Sequence, residues 1–144
     1  MSTSNFEPVH VTRFYNASPE IVFDAWTHPE LVRKWLFVGA TSEIIAIDLD
    51  LQINGNFSIL EFEHSTQENI DHFGSYIEID KPNKLVFTLS VPKHFPGETK
   101  VTIEIASKNE GSELKLTQTG VSKEIIEKSW VTMLEQLALS IENQ

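Results

Sequence analysis

The chain has no cysteine, which excludes disulfides, thiolate metal sites and a cysteine nucleophile, and agrees with a reducing, cytoplasmic setting. Its six glycines are scattered singly, so there is no glycine-rich phosphate cradle, and no Gly-x-Ser-x-Gly elbow marks an activated serine. No apolar run reaches the length of a membrane span, because charges or turn residues break each one. Met1 to Pro8 has neither a basic nor an apolar segment, so no secretory signal is expected, and residues 1–8 are expected to be a flexible N-terminus. Basic residues are scarce: 11 Lys and Arg face 21 Asp and Glu, a formal net charge of −10. Such a surface repels phosphate backbones and anionic headgroups, so neither nucleic acid nor membrane is an expected partner. The acidity reads as solubility rather than as a dock for a cationic partner.

What is present is enough for one domain: 144 residues, 40% hydrophobic, without repeat, linker or low-complexity stretch. Residues 9–16 read as a strand with Val9, Val11 and Tyr15 on one face. Ser18-Pro19-Glu20 then supplies an N-cap, a proline for the first helical position and an acid in the first turn. A short helix follows, and Pro29 ends it and starts a second one running through Leu31, Val32 and Trp35. From residue 43 to 119 six strands succeed one another: 43–51, 56–63, 71–80, 85–91, 99–106 and 113–119. Asn54-Gly55 marks a hairpin, and Val101, Ile103 and Ile105 alternate with Thr102 and Glu104. The spacing of Ile126, Trp130, Met133, Leu134, Leu137 and Ile141 predicts an amphipathic helix over 122–142, with Ser122 as its N-cap.

The order β-α-α-β6-α predicts an α+β fold, a curved antiparallel sheet wrapped on a long C-terminal helix. Twist curls a sheet of this size, and one helix across its mouth leaves an internal cavity. Tight turns at 52–55, 81–84 and 108–112 fall at one end, and the longer segments 64–70, 92–98 and 119–122 at the other. The cavity mouth is expected among the long segments.

Several stretches resemble one family. Ala17 to Trp35, Ile53 to Phe57, Gly74 to Pro82, Leu85 to Thr88, Leu114 to Thr117, Ser129-Trp130 and Leu134 to Ala138 look like the signature of homologues of the activator of heat-shock-protein-90 ATPase. That family belongs to the START-like (SRPBCC, birch-pollen-allergen-like helix-grip) superfamily. Two departures stand out: Leu36 follows Trp35 where a second tryptophan is common, and Asn54-Gly55 replaces Gly-Gly. The resemblance implies a helix-grip fold and a ligand-binding domain, with some relatives acting as lipid carriers, aromatic polyketide cyclases or chaperone partners in the stress response.

The expected partner is a small apolar molecule, with no cofactor and no metal, and a chaperone as the alternative partner. Candidate ligand-binding residues are Phe57, Ile59, Tyr76, Phe87, Val101 and Ile103 on the sheet. Trp130, Met133 and Leu137 join them from the helix, and Trp35 and Phe37 from the segment after the second short helix. Phe95, between two prolines, is either a lid or a ring tucked onto the sheet rim. Leu60 and Phe62 break the parity of Phe57 and Ile59, so a bulge near residue 60 is expected. Depending on that bulge, Glu61 or Glu63 turns inward with Arg13 as mate, but the plainer expectation puts these charges on the solvated face. His64, Asp71 and His72 bracket one loop without metal-site spacing. His94 or Glu78 is a general acid or base only in the minority reading, a cyclase- or hydrolase-like enzyme using the same cavity.

Overall fold

A computed structural model describes residues 7–142, so most of the expected flexible N-terminus lies outside the described residues. The elements in chain order are β1 (Val9–Tyr15), α1 (Pro19–Thr27), α2 (Pro29–Val32), β2 (Ser42–Leu49), β3 (Asn56–Glu63), β4 (Glu68–Asp80), β5 (Lys84–Leu89), β6 (Thr99–Lys108), β7 (Gly111–Thr119) and α3 (Lys123–Glu142). The strands form one seven-stranded antiparallel sheet in the order β1-β7-β6-β5-β4-β3-β2. The six consecutive strands are a meander, and β1 returns from the N-terminus to pair along β7.

The first two local signals act as the sequence predicts, and the third, the Ser122 N-cap, does so only through its backbone carbonyl. The Ser18 hydroxyl accepts from the Ile21 N–H at 3.3 Å, and Pro19 opens α1. Asn54 takes a left-handed backbone with φ of 68° in the turn between β2 and β3. At α3 the Ser122 hydroxyl donates to the Glu124 carboxylate at 2.8 Å, while the Ser122 carbonyl accepts from Ile125 N–H. The 64–70 stretch is shorter as a loop than expected. Glu68, Asn69 and Ile70 join β4 because Glu63, Phe62 and Glu61 supply partners in register.

The bulge is real but lies on the neighbouring strand. β3 keeps strict alternation, with Phe57, Ile59 and Glu61 all buried on one face. The register slips instead in β2, between Ile44 and Ala46, and leaves Ile45 nearly half exposed. Leu60 and Phe62 therefore lie on the outer face, where the His64 ring meets Phe62 edge-on at 4.9 Å.

α3 lies against the concave face and is pinned by buried polar bonds. Trp130 Nε1 donates to Gln118 Oε1 at 2.7 Å, Gln118 Nε2 donates to Thr99 Oγ1 at 2.9 Å, and Thr99 Oγ1 donates to the Leu89 carbonyl at 2.8 Å. This relay links the helix to β7, β6 and β5 in turn, with every member satisfied. Tyr15 adds a bond from β1 to the Leu134 carbonyl at 3.1 Å. Burial pushes its phenol pKa upward, so it stays a donor.

Candidate functional site: a cleft at one end of the sheet

The centre of the grip holds almost no free space. Trp26 meets Trp35 edge-on at 4.6 Å and lies 6.0 Å from Trp130 and 6.3 Å from Phe87. Phe57 meets Phe87 at right angles, with ring centroids 5.5 Å apart, and Tyr76 at the same distance. The gap bounded by Trp26, Phe57, Ile59, Tyr76 and Phe87 has a volume of about 10 Å³, about one water-sized sphere. Val101, Ile103 and Leu137 are fully buried in the same core. Trp35 is buried too, its indole N–H donating to the Ala25 carbonyl at 2.9 Å. The expectation of room throughout the space between sheet and helix is corrected here: interlocking aromatic rings fill the middle.

Room opens toward one end, as an open cleft of about 510 Å³. It lies beside the 92–98 loop and the first turns of α3; of the three long segments expected at the mouth, 92–98 lines it and 64–70 and 119–122 do not. Its apolar wall combines Phe37 and Val38 with Leu89, Val91, Phe95, Ile126 and Met133. Phe95 is buried, so the tucked arrangement holds and its ring forms wall rather than lid. Of the eleven residues expected to bind ligand, Phe37 and Met133 line this cleft. Phe57, Ile59, Tyr76 and Phe87 face the small central gap, Phe57 also lining a surface hollow beside Gly74 and Thr88; Trp35, Val101, Ile103, Trp130 and Leu137 line neither the cleft nor the gap.

Phe37 has an unusual backbone. Its φ is 63°, in the left-handed region that a bulky side chain rarely adopts. Two contacts hold it there: its N–H donates to Met133 Sδ at 3.2 Å, and its ring stacks on the His72 imidazole, centroids 4.1 Å apart and planes within 5°. Backbone strain of this kind costs on the order of 1–3 kcal/mol and tends to occur at functional sites.

The polar floor of the cleft is the arrangement the sequence reading passed over. Glu61 and His72 sit diagonally across the β3–β4 pair, since Ile59 is opposite His72 and Glu61 opposite Ile70. Both are buried, at 7% and 3% exposure, and His72 Nε2 lies 3.0 Å from Glu61 Oε1. The expectation of solvated charges is overturned for Glu61, because unbroken alternation of β3 carries it inward with Phe57 and Ile59. Glu63 stays at the surface, accepting from the Thr41 and Ser65 hydroxyls. Arg13 is not the mate of Glu61; it pairs with Glu135 on α3.

With Glu61 as a carboxylate, which only accepts hydrogen bonds, His72 Nε2 is the donor of this contact and Nδ1 presents a lone pair. That Nδ1 is buried without a partner. Burial pushes the His72 pKa down, against the pull of the Glu61 hydrogen bond, and keeps the ring neutral. The His94 ring lies 6.5 Å from that of His72, on the cleft wall. Glu78 is elsewhere, 3.7 Å from Lys84 Nζ at the surface. His64 faces outward, bonded to Glu43 at 2.8 Å, and Asp71 lies on the exposed face, so neither joins His72. Among the described residues no three such side chains converge to hold a metal ion.

A seven-stranded antiparallel sheet gripping a C-terminal helix, open at one end, defines a START/SRPBCC-type helix-grip domain. The chain belongs to the family described as Activator of Hsp90 ATPase homolog 1-like protein, whose sequence profile matches residues 16–142. Solved structures agree on the fold. A protein from Chromobacterium violaceum aligns with a TM-score of 0.84 at 23% identity, covering 94% of this chain and 96% of the other. An AHSA1-like protein from Aeromonas hydrophila aligns at 0.81 and 16% identity, covering 95% and 93%. A third, from Nitrosomonas europaea, aligns at 0.80 and 19% identity, covering 94% of each. A search of curated protein sequences finds no match. No helix among the described residues is long and apolar enough to cross a membrane.

Proposed function

We propose that the protein binds a small, largely apolar molecule in the cleft bounded by Phe37, Val91, Phe95, Ile126 and Met133, as a carrier or sensor and not as an enzyme. The observation that carries this reading is the cleft itself: about 510 Å³ of mostly apolar-walled space beside a core with none to spare. That volume falls in the usual range of about 300–1,000 Å³ for small-molecule sites. Burying roughly 300 Å² of apolar ligand at about 25 cal/mol/Å² contributes several kcal/mol before association costs, enough for micromolar binding. A reducing, cytoplasmic setting belongs to the same reading, supported by a chain without cysteine.

Thr132 is exposed on α3 and lines the cleft. Apolar ligands should raise the melting temperature of the wild type and change the emission of Trp130, which reaches the cleft through Phe37 at 6.2 Å. In Thr132→Trp, which fills the cleft from its rim, both responses should disappear. A ligand panel that moves neither signal in the wild type contradicts the reading.

A chaperone-directed role is the second reading, and one observation favours it. Leu51, Ile53 and Ile77 are exposed near the β2–β3 hairpin. The hairpin and β4 are tied by Asn54 N–H to the Tyr76 carbonyl at 2.8 Å. Stimulation of a purified Hsp90-type ATPase by the wild type, lost in Ile53→Ser with Ile77→Ser, supports this role. An unchanged ATPase rate removes it.

A further inference from the structure

The floor of the cleft restricts what kind of apolar molecule fits. Glu61 and His72 are its two buried polar residues, and both present acceptors. His72 engages one Glu61 oxygen, Oε1; Oε2 has no partner among the described residues. His72 Nδ1 is an orphan lone pair. His72 Nδ1 is fully buried, whereas Glu61 Oε2 is not, so at the base of the cleft Oε2 is the free acceptor that a donor entering from outside can reach. Among the described residues the one lysine lining the cleft, Lys128, is exposed on α3, one turn from the acidic Glu124. A guest bearing a carboxylate or phosphate would set its charge against the carboxylate of Glu61, and like charges repel.

We infer that the cleft takes an apolar molecule carrying one hydrogen-bond donor, an alcohol, phenol or amine, and that Glu61, held in place by His72, receives this donor at the floor. The apolar body then lies along Phe37, Val91, Phe95, Ile126 and Met133. Phe37 takes part in both halves: its ring forms apolar wall and, stacked on His72, it fixes the imidazole that orients Glu61. Acids of the fatty-acid type are rejected by the same arrangement. The inference rests on the cleft being a ligand site, and the test below separates the two claims.

Three ligands with one apolar body and different heads make the test: 1-octanol, octylammonium and octanoate, titrated calorimetrically into the full-length protein. In the wild type the alcohol and the ammonium should each bind at least about tenfold tighter than octanoate, an effect of the size expected from one buried charge-assisted hydrogen bond. Glu61→Gln keeps an acceptor for His72 and removes the charge, and should compress that ratio to about threefold or less. If Glu61→Gln does not fold, the wild-type order alone decides. Equal binding of all three, or tighter octanoate, overturns the donor preference while leaving the cleft as a ligand site. A ratio that Glu61→Gln leaves unchanged removes Glu61 as the receiver. Absence of binding by all three overturns both claims.

Discussion

The centre and the open end of the space under α3 are built from similar side chains to opposite effect. At the centre, Trp26 meets Trp35 and Phe57 meets Phe87 edge to face, Trp130 lies tilted against Trp26, and about 10 Å³ is left. At the end beside the 92–98 loop, Phe37, Phe95 and Met133 frame about 510 Å³. Free volume separates the regions more sharply than orphan polar atoms do, since the Trp26 indole N–H is buried without a partner in the filled centre. In the centre the Trp130–Gln118–Thr99 relay is closed, each group finding its partner. At the open end the Glu61–His72 pair stops short, with Nδ1 unpaired. A satisfied network and a filled core serve stability, and an unsatisfied pair beside free space serves a guest.

The largest effect should come from breaking the filled region. Trp130→Ala removes a fully buried indole and strands Gln118, and should cost about 3–5 kcal/mol in urea unfolding. Trp130→Phe keeps most of the bulk but leaves the Gln118 carbonyl unpaired, for a loss nearer 1–3 kcal/mol. A loss below 1 kcal/mol for Trp130→Ala would mean that the centre is looser than its ring contacts indicate.

Next in size is the boundary between the regions. Phe37→Gly relieves the left-handed backbone but removes the ring that stacks on His72, so stability should fall by about 1–2 kcal/mol, less than for Trp130→Ala. Ligand binding should fall with it. A stabilised Phe37→Gly that still binds would show that strain, and not the stacked ring, dominates at this residue.

A smaller effect is the pH response of the open end. The His72 pKa is lowered by burial in the folded protein, so the unfolded chain binds more protons just below the ordinary histidine value. The sign follows: the contribution of His72 is fully present above that value and is lost as pH falls toward the folded-state pKa. Unfolding free energies measured from pH 7 downward should decline, and His72→Gln should flatten the decline. A variant with the wild-type slope would assign the pH response to other groups.

Smallest of all should be the stability change in Thr132→Trp, within about 0.5 kcal/mol, because the rim of the cleft carries little packing. Its effect on binding should nonetheless be complete, which separates the two regions in a single variant.

The sequence made the scaffold legible because its signals are local. Ser18-Pro19, Asn54-Gly55, the alternation around Ile103 and the three- and four-residue spacing from Ile126 to Ile141 each act within one element. The site was less legible because it depends on facts about neighbours. Glu61 faces inward because β3 stays regular while β2 absorbs the bulge at Ile45, and β3 alone shows two parities. The signal was available in part: the period of two from Phe57 through Ile59 reaches Glu61, and the apolar Leu60 and Phe62 obscured it. The division between filled centre and open end was not legible at all. Phe57, Phe87 and Trp130 look like cavity wall by size and face, and only three-dimensional packing shows that they meet one another. His72 read as a weak metal ligand, since nothing local announces a diagonal carboxylate eleven residues earlier in the chain.

Methyl-resolved NMR during a titration with 1-octanol tests the central claim most directly. The account predicts shifts at Val91, Ile126 and Met133 that saturate with ligand, while Val101, Ile103 and Leu137 stay still. Shifts largest at Ile103 and Leu137, with Ile126 unmoved, would place the guest within the aromatic centre and contradict it.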